Sequence, residues 1–178
     1  MNILVVTAWA YNPHELWRIL KAIRKEHGTF TVLAERPVIE EEYGKWRGKR
    51  NLPRYGVTTI GDFKDDVKSY DGLVITSGQR TATEKLHYDK KLLEIVKTFD
   101  DQKKPIAAIC VSVPVLRFIM KGRRCTCFPS YANLLKENGA IYEDRTCVVD
   151  KNVVTVPAEI WVTLMMDKFL EGVKSNAI

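Results

Sequence analysis

Along this chain, short continuous apolar runs alternate with stretches in which apolar residues recur every three to four positions. The first pattern predicts strands buried on both faces, and the second predicts amphipathic helices packed against them. Ile3–Thr7 reads as a strand. Pro13–Glu26 reads as a helix, because Leu16, Ile19, Leu20 and Ile23 fall on one face. Phe30–Leu33, Val57–Ile60 and Gly72–Thr76 read as strands, and Lys90–Phe99 as a helix with Leu92, Leu93 and Val96 turned inward. Ile106–Ile109 is a four-residue apolar strand, and Val113–Met120 is predicted to be the helix that follows it. Cys125–Phe128 reads as a strand, and Tyr131–Glu137 as a helix that stops at Asn138-Gly139. Cys147–Val149 and Val153–Val156 flank Asp150-Lys151-Asn152, the pattern of a hairpin, and Ala158–Leu170 predicts the closing helix.

This order of elements predicts an α/β three-layer sandwich, a mostly parallel sheet with helices on both faces. With 178 residues, the chain is read as one domain spanning 1–178. Ligands of such sheets bind beyond the carboxyl ends of the strands. The formal charge of +6 is spread and mixed with acids, so a solvated surface is expected rather than a nucleic-acid face. No apolar run approaches the length of a membrane span, and the first residues read as a buried strand rather than a leader, so a cytoplasmic location is expected. In that compartment Cys110, Cys125, Cys127 and Cys147 default to free thiols. The least regular stretch is Glu35–Gly56, where Glu40-Glu41-Glu42 precedes Lys45, Arg47, Lys49, Arg50 and Arg54, with Trp46 and Tyr55 interleaved. It reads as a long connection whose aromatics dock on the body or on a second subunit, in preference to a patch for nucleic acid or another acidic partner.

Candidate chemistry centres on Lys104–Pro114. The apolar run stops abruptly at Cys110, and Ser112 and Pro114 then begin a helix. A strand-to-helix turn exposes a nucleophile at the top of a sheet. A thiol at a helix N-terminus is also expected to have its thiolate favoured by the helix dipole. A strained backbone is expected at Cys110, as at other elbow residues.

The chain resembles the ThiJ/PfpI family of the class I glutamine amidotransferase-like superfamily, with a flavodoxin-like fold. The resemblance is carried by Ala107-Ala108-Ile109-Cys110, Ser77-Gly78, Lys121-Gly122-Arg123-Arg124, Phe128-Pro129-Ser130, Val148-Val149-Asp150 and Glu15 after the first strand. It implies that Cys110 is the nucleophile, that Glu15 is its carboxyl partner, and that the backbone N–H groups of Val111 and Gly78 form an oxyanion hole. Two departures stand out. Val111 and Phe128 occupy positions where members of the family carry histidine, and Thr155-Val156-Pro157 lacks the histidine of true glutaminases. His14 beside Glu15 is a candidate substitute. Glu15 also has a structural alternative as the third residue of a near capping box, Asn12-Pro13-His14-Glu15.

The resemblance implies a cysteine-nucleophile, hydrolase-like enzyme. It would act on small carbonyl compounds or their adducts, in the manner of deglycases and glyoxalases, or on peptides, and would need no cofactor. The alternative is a non-catalytic thiol sensor or chaperone-like stress protein, in which Cys110 oxidises to a sulfinic acid held by a protonated Glu15. Cys125 and Cys127 are read as ordinary strand cysteines, with no metal expected. A homo-oligomer is expected, with Trp9, Tyr11, Trp17, Trp46 and Trp161 as candidate contact aromatics.

Overall fold

A computed structural model of the chain describes residues 1–35 and 57–176. The basic-aromatic segment with Trp46, singled out above, lies outside the described residues. Strands β1 (Asn2–Thr7), β2 (Thr29–Ala34), β3 (Val57–Thr59), β4 (Gly72–Ile75), β5 (Ile106–Ile109), β8 (Val148–Asp150) and β9 (Val153–Val156) form one sheet in the order β3-β2-β1-β4-β5-β9-β8. All pairings are parallel except that of β8 with β9, the predicted hairpin, which turns through Lys151 at φ +55°. A pair of two-residue strands, β6 (Arg124–Cys125) and β7 (Ile141–Tyr142), lies apart from it.

Side chains alternate across the sheet with the two-residue period of a strand. Ile3, Val5, Val32, Val74, Ala107, Ile109, Val154 and Val156 face one layer, which holds helices α1 (Pro13–Lys25) and α5 (Val162–Asn176). Leu4, Val6, Leu33, Leu73, Ile75, Ile106, Ala108 and Val153 face the other, which holds α2 (Arg80–Leu86), α3 (Lys90–Asp101) and α4 (Ala132–Glu137). The three-layer sandwich expected from the sequence is therefore present. The chain runs from β1 outward to β2 and β3, then returns to β4 on the other side of β1. This places a topological switch at β1 and β4, where sheets of this kind hold ligands.

Several elements depart from the sequence reading. Helix α2 is not anticipated there, because seven residues with no side-chain cap give too short a pattern to show a period. The predicted strand Cys125–Phe128 shrinks to Arg124–Cys125. The Thr126 N–H goes to Thr155 Oγ1 at 3.0 Å and the Phe128 N–H to the Cys110 carbonyl at 3.3 Å, so neither continues a ladder. The helix expected over Val113–Met120 is a 3₁₀-helix spanning Cys110–Ile119. Pro114 has no N–H, so it cannot make the α-helical bond to the carbonyl four residues back, that of Cys110. That carbonyl is left for Phe128. The aromatics also divide. Trp17 is 46% exposed, whereas Tyr11 is 2% exposed and belongs to the core, which removes it from the candidate contact surface.

The basic turn Lys121–Arg124 contains a buried ion pair. Arg123 Nη1 and Nη2 donate to the two carboxylate oxygens of Asp100 at 2.8 and 3.0 Å. Asn152 Nδ2 joins them with bonds to Asp100 Oδ1 and the Lys104 carbonyl, tying α3, β6 and the β8–β9 turn together. Removing one member of a buried pair leaves the other charge without compensation. Arg123→Met is therefore expected to destabilise the protein by about 3–5 kcal/mol in urea unfolding. A loss below about 1 kcal/mol, the range of surface pairs, would show that solvent reaches Asp100.

Candidate active site

Cys110 follows the last residue of β5 directly and adopts φ +57°, a left-handed conformation rare for a residue with a Cβ. The elbow expected from the sequence is thus present, strain included. Ser112 holds it in place. Its Oγ accepts the Ile109 N–H at 3.1 Å and lies 2.9 and 2.8 Å from the carbonyls of Ile75 and Ile109. Instead of capping an α-helix, this buried hydroxyl joins the ends of β4 and β5 below the thiol.

Glu15 is fully buried and lies in the first turn of α1. Asn12 is the N-cap, with Oδ1 accepting from the N–H groups of His14 at 3.1 Å and Glu15 at 3.3 Å, and Pro13 opens the helix. The reciprocal half of a capping box is missing. The Asn12 N–H goes to the Ser77 carbonyl, and the Glu15 carboxylate accepts from Ser77 N–H at 2.5 Å and Ser77 Oγ at 2.7 Å. The carboxyl is thereby fixed beside the end of β4 and within electrostatic reach of Cys110.

Burial, and to a lesser extent the charge of Glu159, push the Glu15 carboxyl up to about 7 despite its two bonds from Ser77. Burial, with the Glu15 carboxylate as the next contribution, pushes the Cys110 thiol up to about 11, against a smaller opposing effect of the Val111 N–H bonded to it. This corrects the expectation of a thiolate favoured by the helix start. One strand end holds both a carboxylate and a thiol, and their negative charges oppose each other. The thiol is therefore the resting form, and Glu15 titrates near neutrality, where a general base is most effective.

The two expected oxyanion donors flank this pair. The Val111 N–H lies against the Cys110 sulfur. Gly78 pairs with Tyr11 in an isolated antiparallel bridge, whose two bonds are Asn12 N–H to the Ser77 carbonyl and Gln79 N–H to the Ala10 carbonyl at 2.7 Å. The bridge does not use the Gly78 N–H. A Cβ at Gly78 would lie 2.1 Å from the Ala10 oxygen, so the close approach of these segments requires glycine.

His14, the candidate substitute, contributes its backbone N–H to the cap. The charges of Glu15 and Glu159 act on Cys110. Sequence reasoning missed two residues. His87 is buried behind the elbow, with Nε2 2.7 Å from the Val111 carbonyl, its own carbonyl accepting from Arg117 Nη1 at 2.7 Å, and its ring edge-on to Tyr131. A carbonyl only accepts, so Nε2 carries the proton. Burial lowers its pKa, which keeps the ring neutral. Glu159, just beyond β9, accepts a hydrogen bond from Asn12 Nδ2 across 147 residues of sequence. No local pattern marks either residue, because each acts through a contact distant in sequence.

Cys125 and Cys127 are buried in the core, and Cys147 is half-buried. Among the described residues no group of three His, Cys, Asp or Glu side chains could hold a metal ion, and no helix is long and apolar enough to cross a membrane.

Three comparisons with known proteins bear on this arrangement. The model of the DJ-1/PfpI family matches residues 1–171. A Methanocaldococcus jannaschii protein is 38% identical over 122 residues, covering 66% of this chain and 58% of that protein. The chain thus spans little more than half the length of that relative. A deglycase of Pyrococcus abyssi is 26% identical over 167 residues, covering 90% of this chain and 93% of the enzyme. The crystal structure of a ThiJ/PfpI domain protein from Brachyspira murdochii superposes with a TM-score of 0.83 at 18% identity, over 98% of this chain and 96% of that one.

The titration of Glu15 has a consequence for stability. Its folded pKa lies above 4.5, the ordinary value of a glutamate in the unfolded chain. The folded protein therefore binds more protons than the unfolded chain between about 4.5 and 7. The stabilisation is complete below that window and is lost as pH rises through it. Urea unfolding of the wild type should lose on the order of 3 kcal/mol more than Glu15→Gln between pH 4.5 and pH 8. Parallel pH profiles for the two proteins would place Glu15 in contact with solvent instead.

Proposed function

The chain belongs to the DJ-1/PfpI family, and from that premise we propose that it is a cysteine-dependent enzyme acting on small aldehydes or on their adducts with amines and thiols. The observation that carries this reading is the pairing, at one end of the sheet, of a cysteine on a left-handed elbow with a buried carboxyl that titrates near neutrality. The deglycase name of the Pyrococcus abyssi relative supports it.

In this reaction the Cys110 sulfur attacks the carbonyl carbon and the thiol proton passes to the Glu15 carboxylate. The electron pair of the carbonyl π bond moves to oxygen, which the N–H groups of Val111 and Gly78 then stabilise. Protonated Glu15 returns its proton to the oxyanion, giving a hemithioacetal. With methylglyoxal, moving the carbinol C–H proton to the adjacent ketone carbon through an enediol turns this into a thioester, and water hydrolyses the C–S bond to release the hydroxy acid and the free thiol. Glu15 serves as base and then as acid, and the histidine found in other members is not required. Peptide hydrolysis fits less well. It needs an acid positioned at a poor amine leaving group, and Val111 and Phe128 stand where histidines would supply one.

The expected self-association belongs to the same proposal, with Trp17 and Trp161 among the candidate contact residues. Light scattering at micromolar concentration should give a particle heavier than the 20.4 kDa monomer.

Methylglyoxal is the probe for the chemistry. Cys110→Ser should abolish its turnover, and Glu15→Gln should lower kcat by about 10²-fold or more, the scale of one general acid–base group. The kcat/KM of the wild type should rise with pH through about 7, as Glu15 ionises. Turnover that persists in Cys110→Ser would remove the catalytic reading. If turnover is also absent from the wild type while peroxide adds oxygen mass to Cys110, the thiol-sensor alternative takes its place.

A further inference from the structure

The bond between Asn12 and Glu159 joins the loop after β1 to the loop after β9. In the sheet these strands are separated by β4 and β5, so they lie three strand spacings apart, about 14 Å. The contact therefore runs across the carboxyl ends of β4 and β5, on the side of the sheet covered by α1 and α5. Gly78 follows the first of these strands and Cys110 the second. Asn12 is committed on both sides of its amide. Its Oδ1 caps α1 and its Nδ2 donates to Glu159 Oε2. The cap thus fixes the amide's orientation, and the amide fixes the carboxylate.

Glu159 is half-buried, and its charge opposes ionisation of both Glu15 and Cys110. It takes no part in the addition described above, where Glu15 alone carries the proton. Its position at the rim bears instead on which molecules reach the thiol. A charge held in partly buried surroundings acts on any charged group brought close to it. Among the described residues, Arg80 and Arg117 on the opposite layer have partners of their own. Arg80 Nε bonds to Glu84 and to the Tyr131 hydroxyl, and Arg117 bonds to the carbonyls of His87 and Pro114.

We propose that Glu159, strapped across the rim by Asn12, is a specificity-determining residue that turns carboxylate-bearing carbonyl compounds away from Cys110 and admits those without a carboxylate. The proposal rests on Cys110 being the nucleophile, as argued under Proposed function, and makes the substrates neutral aldehydes and their amine adducts, not α-keto or aldehydic acids. Glu159 does not touch the reacting atoms in this scheme. It sets the field through which a substrate approaches.

Two alkylating agents of similar size test it without requiring turnover. Iodoacetamide is neutral and iodoacetate carries a carboxylate. Their rates on Cys110, followed by mass spectrometry of the Cys110 peptide at pH 8, are compared with their rates on glutathione. The wild type should prefer iodoacetamide roughly 3- to 10-fold more than glutathione does, for one unit charge at close range in partly solvated surroundings. Glu159→Gln keeps an oxygen that can accept from Asn12 Nδ2 and should narrow the preference toward that of glutathione, the ionised Glu15 retaining the remainder. Adding 1 M NaCl to the wild type should compress it in the same direction with no mutation. With substrates, kcat/KM for methylglyoxal should exceed that for glyoxylate, and Glu159→Gln should narrow the gap.

A wild-type alkylation preference equal to that of glutathione, or one that Glu159→Gln leaves unchanged, overturns the proposal. So does glyoxylate turned over as well as methylglyoxal. If neither aldehyde is turned over while the alkylation preference behaves as expected, the enzymatic reading fails and the selection by Glu159 stands.

Discussion

Cys110 is held at φ +57°, in a backbone conformation that costs a residue with a side chain roughly 1–2 kcal/mol, and the site is arranged around the contacts that maintain it. Pro114 lacks the N–H that would have claimed the Cys110 carbonyl in an α-helix, and Phe128 bonds that carbonyl from the opposite loop. Ser112 bonds the last peptide of β5 from below, and His87 holds the Val111 carbonyl from behind. The Ser112 and His87 contacts are buried, so those groups would be costly to leave unpaired, and together the contacts outweigh the local strain. The left-handed turn lifts the thiol off the sheet plane and leaves the next N–H lying against the sulfur.

The same packing determines the electrostatics. Burial disfavours charge on Glu15 and on Cys110 alike, and the two ionised forms also oppose each other. Such a pair stores no thiolate at rest. It holds a neutral thiol beside a carboxyl whose proton affinity suits neutral pH, so in the proposed reaction the nucleophile forms as it attacks. Exposed sulfur would otherwise be open to any passing oxidant or electrophile. Ser77 is central to this balance. Its two bonds favour the charged carboxylate, so without them burial would raise Glu15 further, away from the neutral range.

Features carried by local pattern were legible in the sequence. The strand Ile106–Ile109 ending at Cys110, the Asn12 cap with Pro13 in the first turn, and the β8–β9 hairpin all follow from runs of ten residues or fewer. The 3₁₀ geometry was not read, although Pro114 carried the signal: a proline four residues after the elbow forbids the α-helical bond to it. The partners of these residues were not legible. Glu15 at the third helical position looked like half of a capping box, and only the fold shows Ser77, 62 positions away, taking the carboxylate instead. Nothing in the run Lys121-Gly122-Arg123-Arg124 marks Arg123 as the residue buried against Asp100, 23 positions away. The direction of the Cys110 pKa was misjudged because helix position is visible in sequence, whereas burial and a facing carboxylate are not.

Two carboxylates serve one thiol here, and their environments separate their tasks. Glu15 is sealed from solvent and bonded only to a serine, so its proton affinity is high enough for proton exchange with sulfur and oxygen at neutral pH. Glu159 is half-buried and held by the Asn12 amide, and its charge opposes ionisation of both inner groups. Asn12 links them. It caps the helix that carries Glu15 and holds Glu159 across the sheet, so the position of the base and the charge at the entrance are set by one side chain. In the proposed scheme the buried acid exchanges the proton, and the charge of Glu159, which opposes ionisation of both inner groups, favours an approaching neutral carbonyl over an anion. Electrophiles that lack a carboxylate, such as simple aldehydes and their amine adducts, are those for which both carboxylates act in the same direction.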